Sequence, residues 1–599
     1  MTGSGTNPVQ GTGDIDECGL SSTYDEPLLN VLAQVEQEEL EEDRQGIEHH
    51  YWTAKRKNCC LVVFFIGFVL SICIAIVAPM VLAGLKQNGI VDNVVISSEK
   101  VGGFKQFQNK SLTGDNYLHF YFFNITNPKG VLRGEKPNLK ELGPWVYNAY
   151  QLRSDFDWDK ENDTLAYREH SYYVFNVNET KRLSGFDSDN VYITTINMLF
   201  LGIPYTVGVT YWEMVCNFLG WKTDEQKLFT KRPVSEFLAG YEVEVEINLF
   251  VKTYKIPIKF PGMYPNLTKE EDPSYKSKLV MKVGEQDINQ VYDLVSWHGM
   301  NELEILCPYG ANPLPGGKSG CPSELPCCQK HSLVKDINNN VSVWGNTTYE
   351  SLYDYNANLV HGRNGEQFQP NVKKGSHLVI FNDIVWRALL FRNMNDEQVT
   401  YKGIKMLRFS PVETLFMNAS TYPPNERYYH FGPQGLLANL SILEQGSELF
   451  ASLPHFLGAD PELLEGVNGL KPERALHNMH IDVEPILGQT MVEHVRAQLV
   501  ALISNGKRWG KNKWFKHLPD RTYVPVAWFD VMSTINQKGI DEFKILYLVD
   551  DISKGCRIFG SILAVICFAP LFYSFILCCC EGDTDDIEDG CQEEIENNS

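Results

Sequence analysis

Residues 61–85 read LVVFFIGFVLSICIAIVAPMVLAGL and decide the architecture of the chain, because this stretch carries no charged residue. About 20 apolar residues are enough to cross the roughly 30 Å hydrocarbon core of a bilayer as a helix. The stretch starts too far along the chain, and is too long, to be the apolar part of a cleaved signal peptide. A second uncharged stretch, IFGSILAVICFAPLFYSFILCCC, occupies residues 558–580. The sequence therefore predicts two transmembrane helices, one near each end of the chain.

The orientation of these helices follows from the cations beside them. Lys55, Arg56 and Lys57 directly precede the first stretch, and such clusters mark the cytosolic end of a membrane helix. Lys554 and Arg557 precede the second stretch and oppose this rule, but the first span usually sets the topology. The prediction is a cytosolic acidic tail (1–58), a transmembrane helix (59–85), a lumenal or extracellular glycosylated ectodomain (86–557), a transmembrane helix (558–580) and a second cytosolic acidic tail (581–599).

The net charge of −22 lies mostly in the two tails. Residues 1–58 contain 12 Asp or Glu against 4 Lys or Arg, and residues 581–599 contain nine against none. The rest of the chain is close to neutral, so it offers no strongly basic face of the kind that nucleic acid requires. The charge distribution excludes a nucleic-acid partner.

The sequons test whether a third uncharged stretch, residues 190–212, is also a span. That stretch is rich in Asn, Thr, Gly and Pro, which is polar for a lipid-facing helix. A span there would place one group of sequons in the cytosol, where they are not glycosylated. Nine sequons lie between the two predicted spans and favour one lumenal block: Asn109, Asn124, Asn162, Asn178, Asn266, Asn340, Asn346, Asn418 and Asn439.

The N-terminal tail contains a candidate sorting signal. In STYDEPLLN, residues 22–30, the side chains of Asp25, Leu28 and Leu29 have the D-x-x-L-L spacing of an acidic dileucine motif. A flexible cytosolic peptide of this kind offers a carboxylate and two aliphatic anchors to a sorting adaptor. So short a pattern also arises by chance in an acidic tail. The motif predicts lysosomal or endosomal residence, with the plasma membrane as the alternative.

Five cysteines lie at the predicted cytosolic ends of the two spans: Cys59, Cys60, Cys578, Cys579 and Cys580. Thiols at this depth are targets of S-palmitoylation. The alternative is that they are unmodified small apolar residues.

Between the spans, short β-like runs alternate with Gly, Pro and Asn. Residues 117–125, 241–254 and 378–381 are predicted strands, and residues 285–292 and 491–502 are predicted helices. This mixture predicts an α+β ectodomain built on a large antiparallel sheet or barrel.

No motif indicates catalysis, a cofactor or a metal. The string Gly317-Lys318-Ser319 resembles the end of a phosphate-binding loop, but position 312, where the motif needs Gly, is Asn. Neither G-x-S-x-G nor H-E-x-x-H occurs in the chain. The prediction is a protein that is not an enzyme.

The cysteines of the ectodomain indicate disulfides, because an oxidising compartment favours bridges over zinc. Four candidates lie within 22 positions, and their pairing stays open: Cys307, Cys321, Cys327 and Cys328. Cys216 is left over.

Seven strings and both spans are similar, in collinear order over residues 55–580, to the class B scavenger receptor family, which includes fatty-acid translocase and the lysosomal integral membrane protein. The strings are GEKP with ELGPWVY (134–147), TKRPVSEFLAGY (230–241), VGEQDINQVYDLVSWHG (283–299), GRNGEQFQP (362–370), SLPHFLGAD (452–460), HIDVEPILG (480–488) and YVPVAWFD (523–530). The resemblance implies a β-barrel-like ectodomain with a helical head, traversed by an apolar tunnel for fatty acids, sterols or phospholipids. It also implies a lipoprotein, an anionic lipid or an escorted lysosomal hydrolase as a ligand.

The stretch 191–229 corresponds to that head. It is rich in aromatic residues and nearly uncharged, so it is expected either to face an apolar ligand or to fill the core beneath the head. The candidate ligand-binding residues are Tyr205, Trp212, Met214, Phe218, Leu219 and Trp221.

Two other classes share the two-span architecture. A ligand-gated channel would need polar or small pore-lining faces and a cysteine-rich ectodomain, and a membrane-anchored ecto-hydrolase would need a catalytic motif. The sequence favours a receptor that binds lipids, lipoprotein-like particles or a protein ligand over both alternatives.

Overall fold

The computed structural model describes residues 59–97, 104, 107–110, 114–198, 201, 228–249, 252–260, 262–263, 278–301, 335–336, 341–344, 347–350, 360–383, 385–422, 425, 428–429, 432–440, 449–505, 517–519 and 521–596. The chain divides into two compact units. One consists of residues 1–84 and 549–599, and the other of residues 85–548.

The first unit contains the apolar part of each terminal helix. Among the described residues, two helices are long and apolar enough to cross a membrane, Cys59–Val94 and Gln537–Ile576. They pack closely because small residues face the neighbouring helix: a Cβ atom added at Gly67 would lie 2.8 Å from Cys567 Sγ. These two helices coincide with the two predicted spans.

The helices are α1 (Cys59–Val94), α2 (Pro128–Val131), α3 (Val177–Ser184), α4 (Val234–Ala239), α5 (Pro461–Glu465), α6 (Arg474–His477) and α7 (Gln537–Glu596). The short helices follow local sequence signals. The Asn176 side chain caps α3 by accepting a hydrogen bond from the Glu179 N–H, and Gly185 ends it with a φ of 80°, a conformation that glycine adopts without strain.

The strands of the ectodomain begin with β1 (Gly114–Ile125), β2 (Leu139–Asp159), β3 (Thr164–Phe175), β4 (Tyr192–Ile196), β5 (Phe229–Pro233), β6 (Tyr241–Leu249), β7 (Lys252–Phe260), β8 (Leu279–Lys282), β9 (Leu294–Ser296), β10 (Lys335–Asp336), β11 (Val341–Trp344) and β12 (Thr347–Glu350). They continue with β13 (His377–Asn382), β14 (Arg387–Arg392), β15 (Gln398–Tyr401), β16 (Ile404–Pro411), β17 (Leu436–Asn439), β18 (Leu449–Ser452), β19 (His480–Glu484), β20 (Gln489–Ile503) and β21 (Thr522–Ile535).

One large antiparallel sheet organises the ectodomain. Its strands run in the order β13-β14-β16-β19-β20-β21-β1-β2-β3-β8-β9, and β15, β17 and β18 pair beside this path. Its central strands are long and rich in aromatic and β-branched residues, which suit a pleated surface covered on both faces. The α+β fold class with a large antiparallel sheet is confirmed.

The segment 360–363 links the two ends of this sheet. The Leu294 N–H of β9 donates to the Gly362 carbonyl at 2.9 Å, and the Arg363 N–H donates to the Val379 carbonyl of β13 at 3.0 Å. Edge strands with unpaired backbone groups promote aggregation, and closure removes such edges. The sheet is therefore nearly closed, as expected of a barrel-like ectodomain.

Buried apolar clusters lie against this sheet. Leu118 and Phe122 of β1 pack with Trp145 in one cluster, and Phe409 and Ile481 belong to a second. Burying one such side chain contributes about 1.5–3 kcal/mol relative to leaving it exposed. These clusters fix the register of the central strands, because a slip by one residue would turn every apolar side chain to the other face.

Three expectations about local structure need correction. Residues 491–502 are strand and not helix, because this segment pairs with β19 on one side and β21 on the other and is mostly buried. Residues 285–292 contain only the short 3₁₀ turn Ile288–Gln290, and the positive φ of Tyr292 prevents a longer helix. Residues 241–254 form not one strand but the first part of the β6–β7 hairpin.

Candidate functional site

An apolar strip runs along one face of the three central strands. The pairing registers place side chains of β20, β21 and β1 in rows across the sheet, and alternate residues of a strand share a face. Three successive rows are apolar: Val495, Val531 and Leu118; then Ala497, Phe529 and Phe120; then Leu499, Ala527 and Phe122. We call these nine residues the apolar strip.

The apolar strip is partly buried core and partly accessible. Five of its nine side chains are buried: Leu118, Phe120, Phe122, Ala497 and Ala527. Val495, Leu499, Phe529 and Val531 are only half-buried, whereas their neighbours on the same face, such as Phe122, are fully buried. These four half-buried side chains are neighbours on β20 and β21, and they leave part of the strip accessible. The strip therefore offers a path on which an apolar chain could lie.

A polar row ends the apolar strip. On the same face, Glu493 of β20, Ser533 of β21 and Asn116 of β1 form the next row. The Ser533 hydroxyl donates to the Asn116 Oδ1 atom at 2.7 Å. The face thus changes from apolar to polar within one row.

The polar row borders a cavity of about 70 Å³, which we call the basal cavity. Its lining includes Asn93 and Val95, from the C-terminal end of α1 and just beyond, and Thr534 and Ile535, directly before α7. Lys110, Glu366 and Glu493 supply the charges of the lining. The basal cavity therefore lies where the ectodomain chain begins and ends.

The three charged side chains of the lining belong to a network of five. Arg153 of β2, whose side chain is only 2% exposed, binds Glu169 through Nε at 2.9 Å and Glu366 through Nη2 at 2.7 Å. Its Nη1 atom donates to the Phe107 carbonyl at 2.9 Å. Each nitrogen of the guanidinium thus has an acceptor, as a buried cation requires.

Lys110 extends the network toward the polar row. Its Nζ atom lies 3.4 Å from Glu366 Oε1 and 3.8 Å from Glu493 Oε2. The charge network is therefore Lys110, Arg153, Glu169, Glu366 and Glu493, with two cations and three carboxylates.

The two cavity carboxylates differ in their proton affinity. Burial acts to raise the pKa of Glu366, but Arg153 and Lys110 outweigh it and lower that pKa to about 2. Burial raises the pKa of Glu493, and the attraction of Lys110 only partly offsets this effect. Glu366 is thus a permanent anion at physiological pH, whereas Glu493 is the more easily protonated of the two.

The family model described as the CD36 family matches residues 65–575, which is most of the chain and includes the apolar strip and the basal cavity. The chain belongs to the CD36 family. The predicted resemblance to class B scavenger receptors is confirmed.

Relatives of two kinds are similar to this CD36-family chain. Scavenger receptor class B member 1 of Sus scrofa is 24% identical over 87% of the chain and 90% of its own length, and that of Rattus norvegicus is 27% identical over 80% and 83%. Lysosome membrane protein 2 of Homo sapiens is 23% identical over 78% and 85%. Together with the two apolar helices, these relatives identify a two-span membrane protein of the scavenger receptor type. The relatives are named as receptors or membrane proteins, and none of these three is named as an enzyme.

Three of the strings that carry the CD36-family resemblance meet at one point. His455 of SLPHFLGAD donates from Nε2 to Glu141 of ELGPWVY at 2.5 Å, because its Nδ1 atom accepts from the Lys471 N–H at 3.0 Å. Trp528 of YVPVAWFD donates from Nε1 to the same Glu141 oxygen at 2.8 Å. Burial opposes ionisation of Glu141, but the hydrogen bonds from His455 and Trp528 lower its pKa. Both nitrogens of the imidazole have hydrogen-bond partners, so this junction joins distant segments of the chain.

Most of the predicted site residues of this CD36-family chain lie outside the described residues. These are the head candidates Tyr205, Trp212, Met214, Phe218, Leu219 and Trp221, the sorting motif Asp25, Leu28 and Leu29, and the disulfide candidates Cys307, Cys321, Cys327 and Cys328. The roles of all of them remain predictions.

The predicted palmitoylation sites belong to the terminal helices. Cys59 and Cys60 open α1 and are exposed, which leaves their thiols accessible to an acyltransferase. Cys578, Cys579 and Cys580 lie within α7, and their side chains are outside the described part of the structure.

The predicted glycosylation sites differ in accessibility. Asn162, in the β2–β3 turn, and Asn178, in α3, are exposed, whereas Asn109, Asn124 and Asn439 are half-buried. Asn418 is buried, and its Nδ2 atom, the atom that a glycan would modify, donates to the Gly432 carbonyl at 2.7 Å. Asn266, Asn340 and Asn346 are not among the described residues.

Sequence reasoning missed the charge network entirely. Its members come from five separate segments, and Arg153 and Glu366 are 213 residues apart. One signal was present, since Glu366 lies within the string GRNGEQFQP, but no spacing rule pairs that glutamate with an arginine in β2.

Proposed function

We propose that this CD36-family membrane receptor binds a lipid along the apolar strip of its ectodomain and passes it toward the membrane. The observation that carries the proposal is the continuous series of three apolar rows with half-buried members, ending at the basal cavity. Burial of an alkyl chain contributes about 0.8 kcal/mol per CH₂, so a long acyl or isoprenoid chain gains substantial free energy on such a surface. The residues beside the cavity adjoin α1 and α7, the two helices that contain the predicted spans.

We also propose larger ligands and a cellular location. Lipoprotein-like particles or a lysosomal hydrolase are the proposed larger ligands, captured by the head stretch 191–229. The acidic dileucine motif at Asp25, Leu28 and Leu29 is proposed to recruit sorting adaptors, with both termini in the cytosol. The names of the lysosomal relatives support an endolysosomal address, and those of the scavenger receptors leave the plasma membrane as the alternative.

A lipid-occupancy experiment tests the proposed function. Val495→Trp places an indole on the accessible part of the apolar strip, and Val174→Trp is the matched control, since Val174 of β3 is 47% exposed. Each full-length variant is purified in a mild detergent, and the lipids that co-purify are quantified by mass spectrometry.

We expect the wild type and Val174→Trp to retain a stoichiometric lipid, and Val495→Trp to lose most of it while keeping its thermal stability within a few degrees. Equal lipid content in all three proteins would show that the apolar strip is not the binding surface. A wild type without any bound lipid would remove the main support for the proposal.

A further inference from the structure

We propose that the basal cavity selects the uncharged hydroxyl end of a lipid alcohol and rejects the carboxylate of a fatty acid, with Glu493 as the specificity-determining residue. This inference rests on the proposed function, because it concerns the polar end of the lipid whose chain lies on the apolar strip. The ligand class is defined by chemistry: a long apolar body, such as a sterol or a long-chain alcohol, with one terminal hydroxyl group.

The cavity has room for the small polar end of a lipid. Its volume of about 70 Å³ accommodates either a terminal hydroxyl group or a carboxylate, so volume does not distinguish between them.

Charge separates the two groups that fit. The cations of the network are already paired: Lys110 faces Glu366 and Glu493, and Arg153 donates from each of its three nitrogens. Three carboxylates accompany these two cations. A fatty-acid carboxylate would enter as a fourth anion, without an unpaired cation among the described lining residues to receive it. Desolvating a charge without a partner is strongly unfavourable.

A hydroxyl group matches the same surroundings, because it donates one hydrogen bond and accepts others. Glu493, at the end of the apolar strip, supplies an acceptor whose nearest cation is Lys110 at 3.8 Å. Asn116, in the same polar row, has a buried Nδ2 atom without a hydrogen-bond partner in the described part of the chain. A donor and an acceptor thus occur together in the row where an apolar chain on the strip would end.

Burial raises the pKa of Glu493, and either protonation state of this side chain can bind a hydroxyl group. The anion accepts a hydrogen bond from the hydroxyl, and the acid donates one to the hydroxyl oxygen. As the anion, Glu493 repels a second carboxylate.

The test uses two ligands that differ only in the polar end, oleyl alcohol and oleate. Their binding to the full-length protein in detergent is measured by displacement of a fluorescent sterol at about pH 8, where more oleate is ionised than at neutral pH. Glu493→Gln removes the charge with little change in shape. Glu161→Gln is the matched control, because Glu161 is exposed in the β2–β3 turn.

We expect the wild type and Glu161→Gln to bind oleyl alcohol at least about 10-fold more tightly than oleate, the order expected for a charge a few Å away in a partly buried site. Glu493→Gln should bind oleate more tightly than the wild type does. The preference for oleyl alcohol over oleate should therefore fall by about 5-fold or more. Thermal unfolding of each variant verifies that it is folded.

Two results would overturn the inference alone: equal affinity of the wild type for the two ligands, or a ratio that Glu493→Gln leaves unchanged. The absence of binding by either ligand and by the fluorescent sterol would instead overturn the proposed function, and this inference with it. The two failures are therefore distinguishable.

Discussion

Arg153→Met tests the charge network by removing its central cation. The side chain of Arg153 is 2% exposed and pairs with Glu169 and Glu366. Methionine fills similar volume, but it leaves the buried carboxylate of Glu366 without its closest partner. Breaking a buried ion pair from one side costs about 3–5 kcal/mol.

This cost converts into a measurable shift of the melting temperature. Unfolding entropy is about 2.1 cal/mol/K per residue. For the unit of residues 85–548, the total is therefore about 1 kcal/mol per degree. We therefore expect Arg153→Met to lower the Tm of the full-length protein by about 3–5 °C at pH 7.4. The loss should be smaller at pH 5, because an unpaired buried carboxyl group takes up a proton more readily.

A double variant identifies the cause. Arg153→Met with Glu366→Gln removes both charges, so its Tm should be about 2 °C or more above that of Arg153→Met alone. Arg133→Met is the control, because the Arg133–Glu135 pair is mostly exposed and such pairs contribute about 0–1 kcal/mol. A Tm loss below 1 °C for Arg153→Met would refute the reasoning. So would a double variant whose Tm loss equals the sum of the losses of Arg153→Met and Glu366→Gln measured separately.

Three further predictions concern acid, glycans and sorting. Burial and the neighbouring His455 lower the pKa of His477 to about 4. The stabilisation by neutral His477 is therefore complete above about pH 6.5 and is lost as the pH falls toward 4. His477→Asn should reduce the Tm difference between pH 7.4 and pH 5 by roughly 2 °C, and an unchanged difference would contradict this. Peptide mass spectrometry should find a glycan on exposed Asn162 and none on buried Asn418, and a fully occupied Asn418 would show that it is modified before folding. Replacing Leu28 and Leu29 with alanine should move the protein to the cell surface by microscopy, and an unmoved distribution would mean that the dileucine is a chance match.

Sequence reasoning succeeded where a local pattern alone determines the structure. The first span is a run of uncharged residues, and strand β1 contains four consecutive aromatic residues at 120–123, so length and composition were enough. It failed for residues 491–502, whose apolar residues also fit a helical repeat. Pairing with β19 and β21 on both sides makes this segment a central strand, and no property of the segment itself shows that pairing.

The candidate site was largely beyond the sequence for the same reason. Glu493 and Arg153 belong to one charge network only because the fold brings Lys110 and Glu366 between them. The family resemblance indicated an apolar path but no polar end to it. The apolar context of His455 favoured a structural role over that of a base, and in the structure this side chain is a buried link to Glu141.

The central claim, that the apolar strip carries the lipid, is tested most directly by transfer of a fluorescent lipid alcohol from donor vesicles into proteoliposomes that contain the full-length protein. Val495→Trp adds an indole to the apolar strip. Val174→Trp adds the same bulk at an exposed position of β3. We predict that Val495→Trp slows transfer about 10-fold, close to protein-free liposomes, while Val174→Trp transfers at the wild-type rate. Wild-type transfer by a folded Val495→Trp protein would contradict the account.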